Sequence, residues 1–379
     1  MSIVCDVSAA VHAKAGLSRY AGSLARALAP LLGPQLALFQ NGLGKCGPLA
    51  GLDGHQVYGT RLRYRPWRAA VLAAQSVGLK IRNLAPGAQV FHATEHLLPP
   101  VAAPTVMTVH DLVFERLPQY HKTANYLYLK TAMPLFCRRA DHIIAVSQAT
   151  CDDLVERYRL PADKISVVPE AAAPHFAPAS AEAIAAVREK FSLQGRYILA
   201  VGTLEPRKNI AALAAACGPL FERGLATSLV VVGARGWLFE DAMREITALP
   251  WSGRVLMPGY VTEEDLVALY GGALLTAQPS HYEGFGLPVL EAMACGSPVC
   301  ASSTSSLPEV GGDVLRYFDP NDRESMTAVM AQVAGDDSLR DEMRQGGLLR
   351  AATFSWEATA RATIAVYQQL APAIELITP

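Results

Sequence analysis

The chain has 379 residues, 51% hydrophobic and 18% charged, which excludes disorder as the main state and exceeds what one core usually fills, so two domains are expected. Its 33 basic and 34 acidic residues give a formal charge of −1, which argues against a general nucleic-acid binder. The balance hides an asymmetry: residues 1–172 hold 18 Lys and Arg against 11 Asp and Glu (+7), and residues 173–379 hold 15 against 23 (−8).

From the N-terminus, Ser2–Val7 reads as a buried strand, followed by a Gly-bearing turn and a helix from about Leu17 to Ala29. Asp6 and Lys14 interrupt any apolar leader stretch, and the uncharged run 27–44 is broken by Pro30, Pro34 and three glycines, so it is no membrane span. Val90–Ala93, Pro104–Val109 and His142–Val146 are short and apolar enough to be interior strands. Ser147 then caps a helix with Asp152 and Asp153 in its early turns. Val168–Ala181, rich in Ala and Pro, reads as a linker. Beyond it the alternation restarts: strands at Tyr197–Val201, Ser228–Val232, Val255–Met257, Ala273–Ala277 and Pro298–Ala301, with a helix at Ile210–Cys217. A last helix runs from about Ser355 to Leu370. This is an α/β chain with two Rossmann-like halves. The boundaries expected are 1–170 and 185–355, with a terminal segment 356–379 beyond them. Seven scattered cysteines, without CxxC or zinc spacing, read as buried thiols in a reducing compartment, so a soluble cytoplasmic protein is expected.

Four segments carry chemistry. Pro279 through Gly296 holds Glu283 in a loop and Glu291 in the helix that follows, with Gly284 and Gly286 between. Pro288 suits the start of that helix and Gly296 its end, giving roughly 288–295. Loop and helix terminus offer carboxylates for sugar or ribose hydroxyls and backbone N–H groups for an anion. Taken alone, two such acidic residues merely complement the helix dipole. Gly202-Thr203-Leu204-Glu205-Pro206-Arg207-Lys208-Asn209 sets two cations at a strand-to-helix turn, which suits a diphosphate or, more plainly, water. Gly16 follows the first strand, where a helix N-terminus can meet a phosphate, although the full G-x-G-x-x-G is lacking. His110 lies at the C-terminal end of a strand, where open α/β sheets place ligands, but a lone histidine is more often structural.

Together these segments resemble the retaining glycosyltransferases of family 4, a two-domain GT-B class, along nearly the whole chain. The most specific stretch is Glu283-Gly284-Phe285-Gly286-Leu287-Pro288-Val289-Leu290-Glu291-Ala292-Met293-Ala294-Cys295-Gly296, continued by Pro298-Val299 and Ser305-Ser306-Leu307-Pro308-Glu309-Val310. The family's E-x7-E motif falls on Glu283 and Glu291, its phosphate-binding base on Lys208 with Arg207 beside it, its active-site histidine on His110 and its glycine loop on Gly16. Departures are Ala15 where a second glycine is common, Thr203 where Arg is common, and Pro169-Glu170-Ala171 where an Asn-Gly pair is common.

The resemblance implies two Rossmann-like domains facing across a cleft, with the last helix crossing back to the first domain. It implies a catalytic set of His110, Glu283, Lys208 and Arg207. The implied donor-binding set is Gly16, Gly202, Thr203, Tyr260, Val261, Gly284, Phe285, Gly286, Leu287 and Glu291. The implied reaction moves a hexose from a nucleotide-sugar, GDP-mannose being favoured by the Gly-Thr-Leu-Glu-Pro-Arg-Lys-Asn variant, to a glycan or lipid-linked glycan with retention. Two cations replace a divalent ion, so neither metal nor other cofactor is expected. Alternatives are another GT-B reaction (a phosphorylase or nucleotide-sugar epimerase) or a non-catalytic glycan-binding protein. Finally, Arg61, Arg63, Arg65 and Arg68, interleaved with Tyr64 and Trp67 and followed by Lys80 and Arg82, suit contact with anionic lipid, which points to the inner face of the cytoplasmic membrane.

Overall fold

The computed structural model describes residues 2–12, 15–42 and 49–377. The chain divides into two compact units: Met1–Glu115 with Thr123–Ala171 and Ser355–Pro379, and Arg116–Lys122 with Ala172–Phe354.

The first unit is built on a seven-stranded sheet. In chain order its strands are β1 (Ser2–Asp6), β2 (Leu36–Asn41), β3 (Gln56–Thr60), β4 (Ala88–Ala93), β5 (Thr105–Val109), β6 (His142–Ala145) and β7 (Ile165–Val167). They lie in the spatial order β3-β2-β1-β4-β5-β6-β7, every pairing parallel. Strands β2, β3 and β7 add to those legible in the sequence. The uncharged run 27–44 becomes the end of a helix (Ala15–Leu32), a tight turn at Gly33 and β2, whose six residues are all buried between β1 and β3. A strand covered on both faces has no polar face, so period-2 alternation is missing. The helix Gln148–Tyr158 opens as its sequence requires, with Ser147 Oγ accepting from the Thr150 amide at 3.1 Å.

The last helix, Trp356–Leu370, packs on Ala15–Leu32 within this unit and buries Ile364 and Tyr367. Burying one such isoleucine contributes roughly 1.5–3 kcal/mol. The arginine-rich segment departs from its reading. Trp67 is buried against Phe39, because it falls on the inward face of the helix Tyr64–Ser76. Arg68 stacks 3.8 Å from the centre of the Tyr128 ring and also faces Tyr64. Trp67 is therefore not available to a lipid surface; Arg68 is half-buried and engaged with Tyr128 and Asn125, while Arg61, Arg63 and Arg65 are exposed.

The second unit holds β8 (Tyr197–Val201), β9 (Ser228–Val232), β10 (Val255–Gly259), β11 (Leu275–Gln278), β12 (Val299–Ser302) and β13 (Arg316–Phe318). Their order is β10-β9-β8-β11-β12-β13, again all parallel. The short segment Arg116–Lys122 belongs here too, tied by the Trp237 indole donating to the Tyr120 carbonyl at 2.6 Å. Six cysteines among the described residues are buried free thiols, and Cys46 lies outside those residues. No helix among the described residues is long and apolar enough to cross a membrane.

Both sheets are doubly wound, so strand order reverses once in each: between β1 and β4, and between β8 and β11. Such a reversal opens a crevice at the carboxyl ends of the flanking strands, because the connecting helices depart to opposite faces. Most of the sequence-predicted residues leave the sheets at or beside these two places, whereas Tyr260 and Val261 follow β10 at the edge of the second sheet.

Candidate active site

In the second unit, the segment leaving β8 carries Glu205, Arg207 and Lys208, and the segment leaving β11 carries Ser280 and Glu283. Glu283 is the hub. Its Oε1 accepts from Lys208 Nζ at 2.6 Å, Gln278 Nε2 at 2.8 Å and Ser280 Oγ at 2.5 Å. Its Oε2 accepts from Arg207 Nη1 at 2.7 Å. Burial by itself would raise the pKa of this carboxyl, but the charges of Arg207 and Lys208 and the hydrogen bonds from Lys208 and Ser280 hold it well below the ordinary carboxylate range.

Arg207 is shared. Its Nε and Nη2 both donate to Oε1 of the buried Glu205, at 2.9 and 2.5 Å, and Nη1 also donates to the Tyr282 carbonyl at 2.6 Å. Two carboxylates and two cations thus balance in a region largely closed to water. Such a cluster is rigid, because moving one member strands another. Among the described residues, the buried Oε2 of Glu205 has no hydrogen-bond partner.

Backbone geometry makes room for this cluster. Gly202 has φ of +152°, and a Cβ there would come 3.1 Å from Lys208 Cε, so the lysine stem lies directly on the glycine. Thr203 follows in the same turn. Gly286, at φ +107°, precedes the helix Leu287–Ala294, which begins one residue earlier than the sequence reading and places Pro288 in its first turn. Gly284 and Phe285 complete that approach, and Ser306 Oγ donates to the carbonyls of Glu283 and Phe285 at 3.0 and 2.7 Å. Glu291 is buried on this helix and accepts from the Tyr270 hydroxyl at 3.2 Å. Beyond β10, Tyr260 is exposed and Val261 buried.

In the first unit, His110 follows β5 and is buried. Its Nδ1 lies 3.0 Å from Glu170 Oε1, and its Nε2 lies 2.9 Å from the Thr94 carbonyl beyond β4. Thr94 Oγ1 in turn donates to the Asp6 carbonyl at 2.5 Å, and the Asp6 carboxylate, buried at the end of β1, accepts from the Ser8 amide at 2.8 Å. Gly16 lies inside the first turn of Ala15–Leu32 and not before it, and a Cβ there would meet open space. Residues 13 and 14, just before this helix, lie outside the described residues.

Four participants were not foreseen from the sequence: Glu205, Ser280, Gln278 and Glu170. Glu205 sits inside a quoted motif, and Glu170 was visible as a departure from the family pattern. Ser280 and Gln278 gave no signal of their own. Among the described residues, no group of three or more His, Cys, Asp or Glu side chains is arranged to hold a metal ion.

The profile of the group 1 glycosyl transferases matches residues 183–350, and that of glycosyltransferase family 4 matches residues 15–173. The chain is 36% identical over 284 residues to the O-antigen chain mannosyltransferase B of Escherichia coli, 74% of each chain. It is 33% identical over 273 residues to the serotype-specific mannosyltransferase WbdA of Escherichia coli, covering 70% of this chain but only 33% of that protein. The fold is similar to that of sucrose-phosphate synthase from Thermosynechococcus elongatus, with a TM-score of 0.77 at 20% identity over 98% of this chain and 100% of that one.

Proposed function

This chain belongs to the group 1, family 4 glycosyltransferases of GT-B fold, and from that premise we propose that it transfers mannose from GDP-mannose to a glycan or lipid-linked glycan with retention of configuration. It is a hexosyltransferase of glycan biosynthesis. The observation that carries the finer reading is the Glu205–Arg207–Glu283–Lys208 cluster beside the strand-order reversal of the second sheet. The mannosyltransferase names of two relatives support the sugar.

In the proposed reaction the anomeric C–O bond to the diphosphate breaks as the acceptor hydroxyl oxygen bonds to the same carbon, and the departing diphosphate gains charge and takes up the proton that hydroxyl loses. Lys208, held in place by Glu283, meets that charge, and Arg207 fixes the loop that presents it. An interaction that strengthens as the bond breaks accelerates the step, whereas one equally strong beforehand does not. Glu283 takes a hydroxyl of the transferred sugar in exchange for its Ser280 or Gln278 donor. Glu291 accepts from the ribose hydroxyls, as it accepts from Tyr270 here. The backbone at Tyr260 and Val261 reads the base, and His110 serves the sugar. Lys208, braced by Arg207, supplies the work of a divalent ion.

The test is turnover against a panel of nucleotide-sugars with glycan acceptors, with and without excess EDTA. GDP-mannose should release free GDP only when acceptor is present, and chelation should leave the rate unchanged. Product NMR should report the α-anomeric configuration of the donor. Loss of activity on chelation with rescue by Mg²⁺ would end the metal-free reading. GDP at 100 times its Kd should add ~2.7 kcal/mol of stability in a thermal shift.

We also propose reversible contact with anionic membrane at the inner face of the cytoplasmic membrane, through the exposed Arg61, Arg63 and Arg65. Each basic residue near such a surface contributes ~1 kcal/mol. The chain should sediment with vesicles rich in phosphatidylserine at low salt and be released as salt rises. Arg61, Arg63 and Arg65 changed together to Ser should abolish that binding. Arg68 is left in place because its stacking on Tyr128 makes it part of the fold.

A further inference from the structure

The first unit buries two histidines near one another, and their partners are of opposite chemical kinds. His92 sets Nδ1 2.7 Å from the Tyr367 hydroxyl and Nε2 2.7 Å from the Thr108 hydroxyl. A hydroxyl donates or accepts, so a neutral ring satisfies both contacts. Burial first, and then the positive charge of His110, push the pKa of His92 down to about 3. His110 differs. It lies between two oxygens that only accept: the Glu170 carboxylate at 3.0 Å and the Thr94 carbonyl at 2.9 Å.

A neutral imidazole has one N–H, so at His110 it would set a nitrogen lone pair against an oxygen lone pair at one contact. A ring with two N–H groups satisfies both. We infer that Glu170 is a positioning residue that holds His110 as a doubly protonated imidazolium, so that His110 brings the transfer reaction a fixed positive charge and does not act as a general base. This rests on the reading above that His110 serves the transferred sugar. Glu170 stands where the resemblance leads one to expect an Asn-Gly pair.

The surroundings agree. The Tyr20 ring meets His110 edge-on at 4.6 Å, the His96 ring lies 6.0 Å away, and the Thr150 hydroxyl donates to the His110 carbonyl at 3.2 Å. Burial disfavours the charge, but the hydrogen bond and charge of Glu170, the Thr94 carbonyl and the Asp111 carboxylate more than offset it, raising the pKa of His110 above its ordinary value. Glu170 is itself held close: the Pro169 carbonyl beside it accepts from Thr359 Oγ1 at 2.8 Å.

The experiment is a pH titration of the full chain carrying ¹⁵N-labelled histidine, paired with the pH profile of turnover. In the wild type both ring nitrogens of His110 should resonate as imidazolium at pH 7. A raised pKa means the charge is kept below it and lost as pH rises through it, so Glu170→Gln should bring that loss to lower pH. The variant should show a neutral His110 ring at pH 7, and its turnover should fall roughly tenfold to a hundredfold at pH 8 and less at pH 6. Glu170→Asp should restore part of both. A neutral His110 in the wild type at pH 7 overturns the proposal, and needs no variant to fold. So does a Glu170→Gln protein that keeps both its imidazolium signals and its alkaline limb. His110→Ala with wild-type turnover would instead remove the role of His110 in the reaction, while the titration still answers for Glu170.

Discussion

Lys208→Ala is expected to lower turnover by roughly 10²- to 10³-fold, the usual loss when one donor to a developing oxyanion is removed. The lysine is buried, lies on Gly202 and donates to Glu283 at 2.6 Å, so little else can reach its position. Because it is buried, the lysine also matters to folding. Breaking a buried ion pair typically costs ~3–5 kcal/mol, and here the figure should sit at the low end because Arg207, Gln278 and Ser280 still donate to Glu283. Turnover must therefore be measured per folded molecule, with the folded fraction read by circular dichroism. Lys208→Met, which keeps the stem, separates the two effects: packing should largely recover and turnover should not. A folded variant of either kind with wild-type turnover would remove Lys208 from the mechanism.

Glu283→Gln should alter how stability depends on pH. Arg207 and Lys208 depress the pKa of Glu283 in the folded chain, so its charge stabilises the fold above the unfolded carboxyl pKa of about 4.3. That contribution is lost as pH falls toward the depressed folded value. At pH 7 the glutamine variant should be less stable by ~3 kcal/mol, because the buried Lys208 loses the carboxylate it pairs with and the half-buried Arg207 keeps only Glu205. Below about pH 4 the wild type should begin to lose the same contribution, and the gap should narrow. Urea unfolding from pH 7 to pH 3.5 measures this directly. A gap independent of pH would show that Glu283 acts through shape and not through charge.

Strand-rich apolar runs were the most legible part of the fold: Tyr197–Val201 and Ser228–Val232 match the sequence reading residue for residue. What escaped were strands without pattern. β2 is buried on both faces and carries Gln40 and Asn41 into the interior, while β7 and β13 are three residues each. The candidate site was legible where a motif gathers residues within a short stretch, as from Glu283 to Glu291. It was not legible where the fold supplies the partner. Nothing near position 110 announces Glu170, because that pairing spans 60 residues and is made by the sheet. Glu205 was in view, but a carboxylate two residues before Arg207 reads equally as solvated surface until burial is known. Trp67 erred the other way: an aromatic among arginines suggested an interface, and helical phase turned it inward.

The placement of the charged cluster also bears on the order in which the second unit assembles. Glu283 and Lys208 are 75 positions apart, and no local turn brings them together. They meet because β8 and β11 lie side by side with Leu275 opposite Ile198 and Thr276 opposite Leu199. If β11 slipped by one residue, its segment would move ~3.3 Å along the strand and its side chains would exchange faces. The carboxylate would then be stranded from its donors, and an uncompensated buried charge costs several kcal/mol. The ion pair therefore cannot nucleate the sheet, since the intervening chain must close first. It is expected to form only once the central strands have paired, and it would then penalise strands paired out of step. Residues placed for chemistry thus also act as a late proofreading step, rejecting misaligned sheets that a purely apolar core would tolerate.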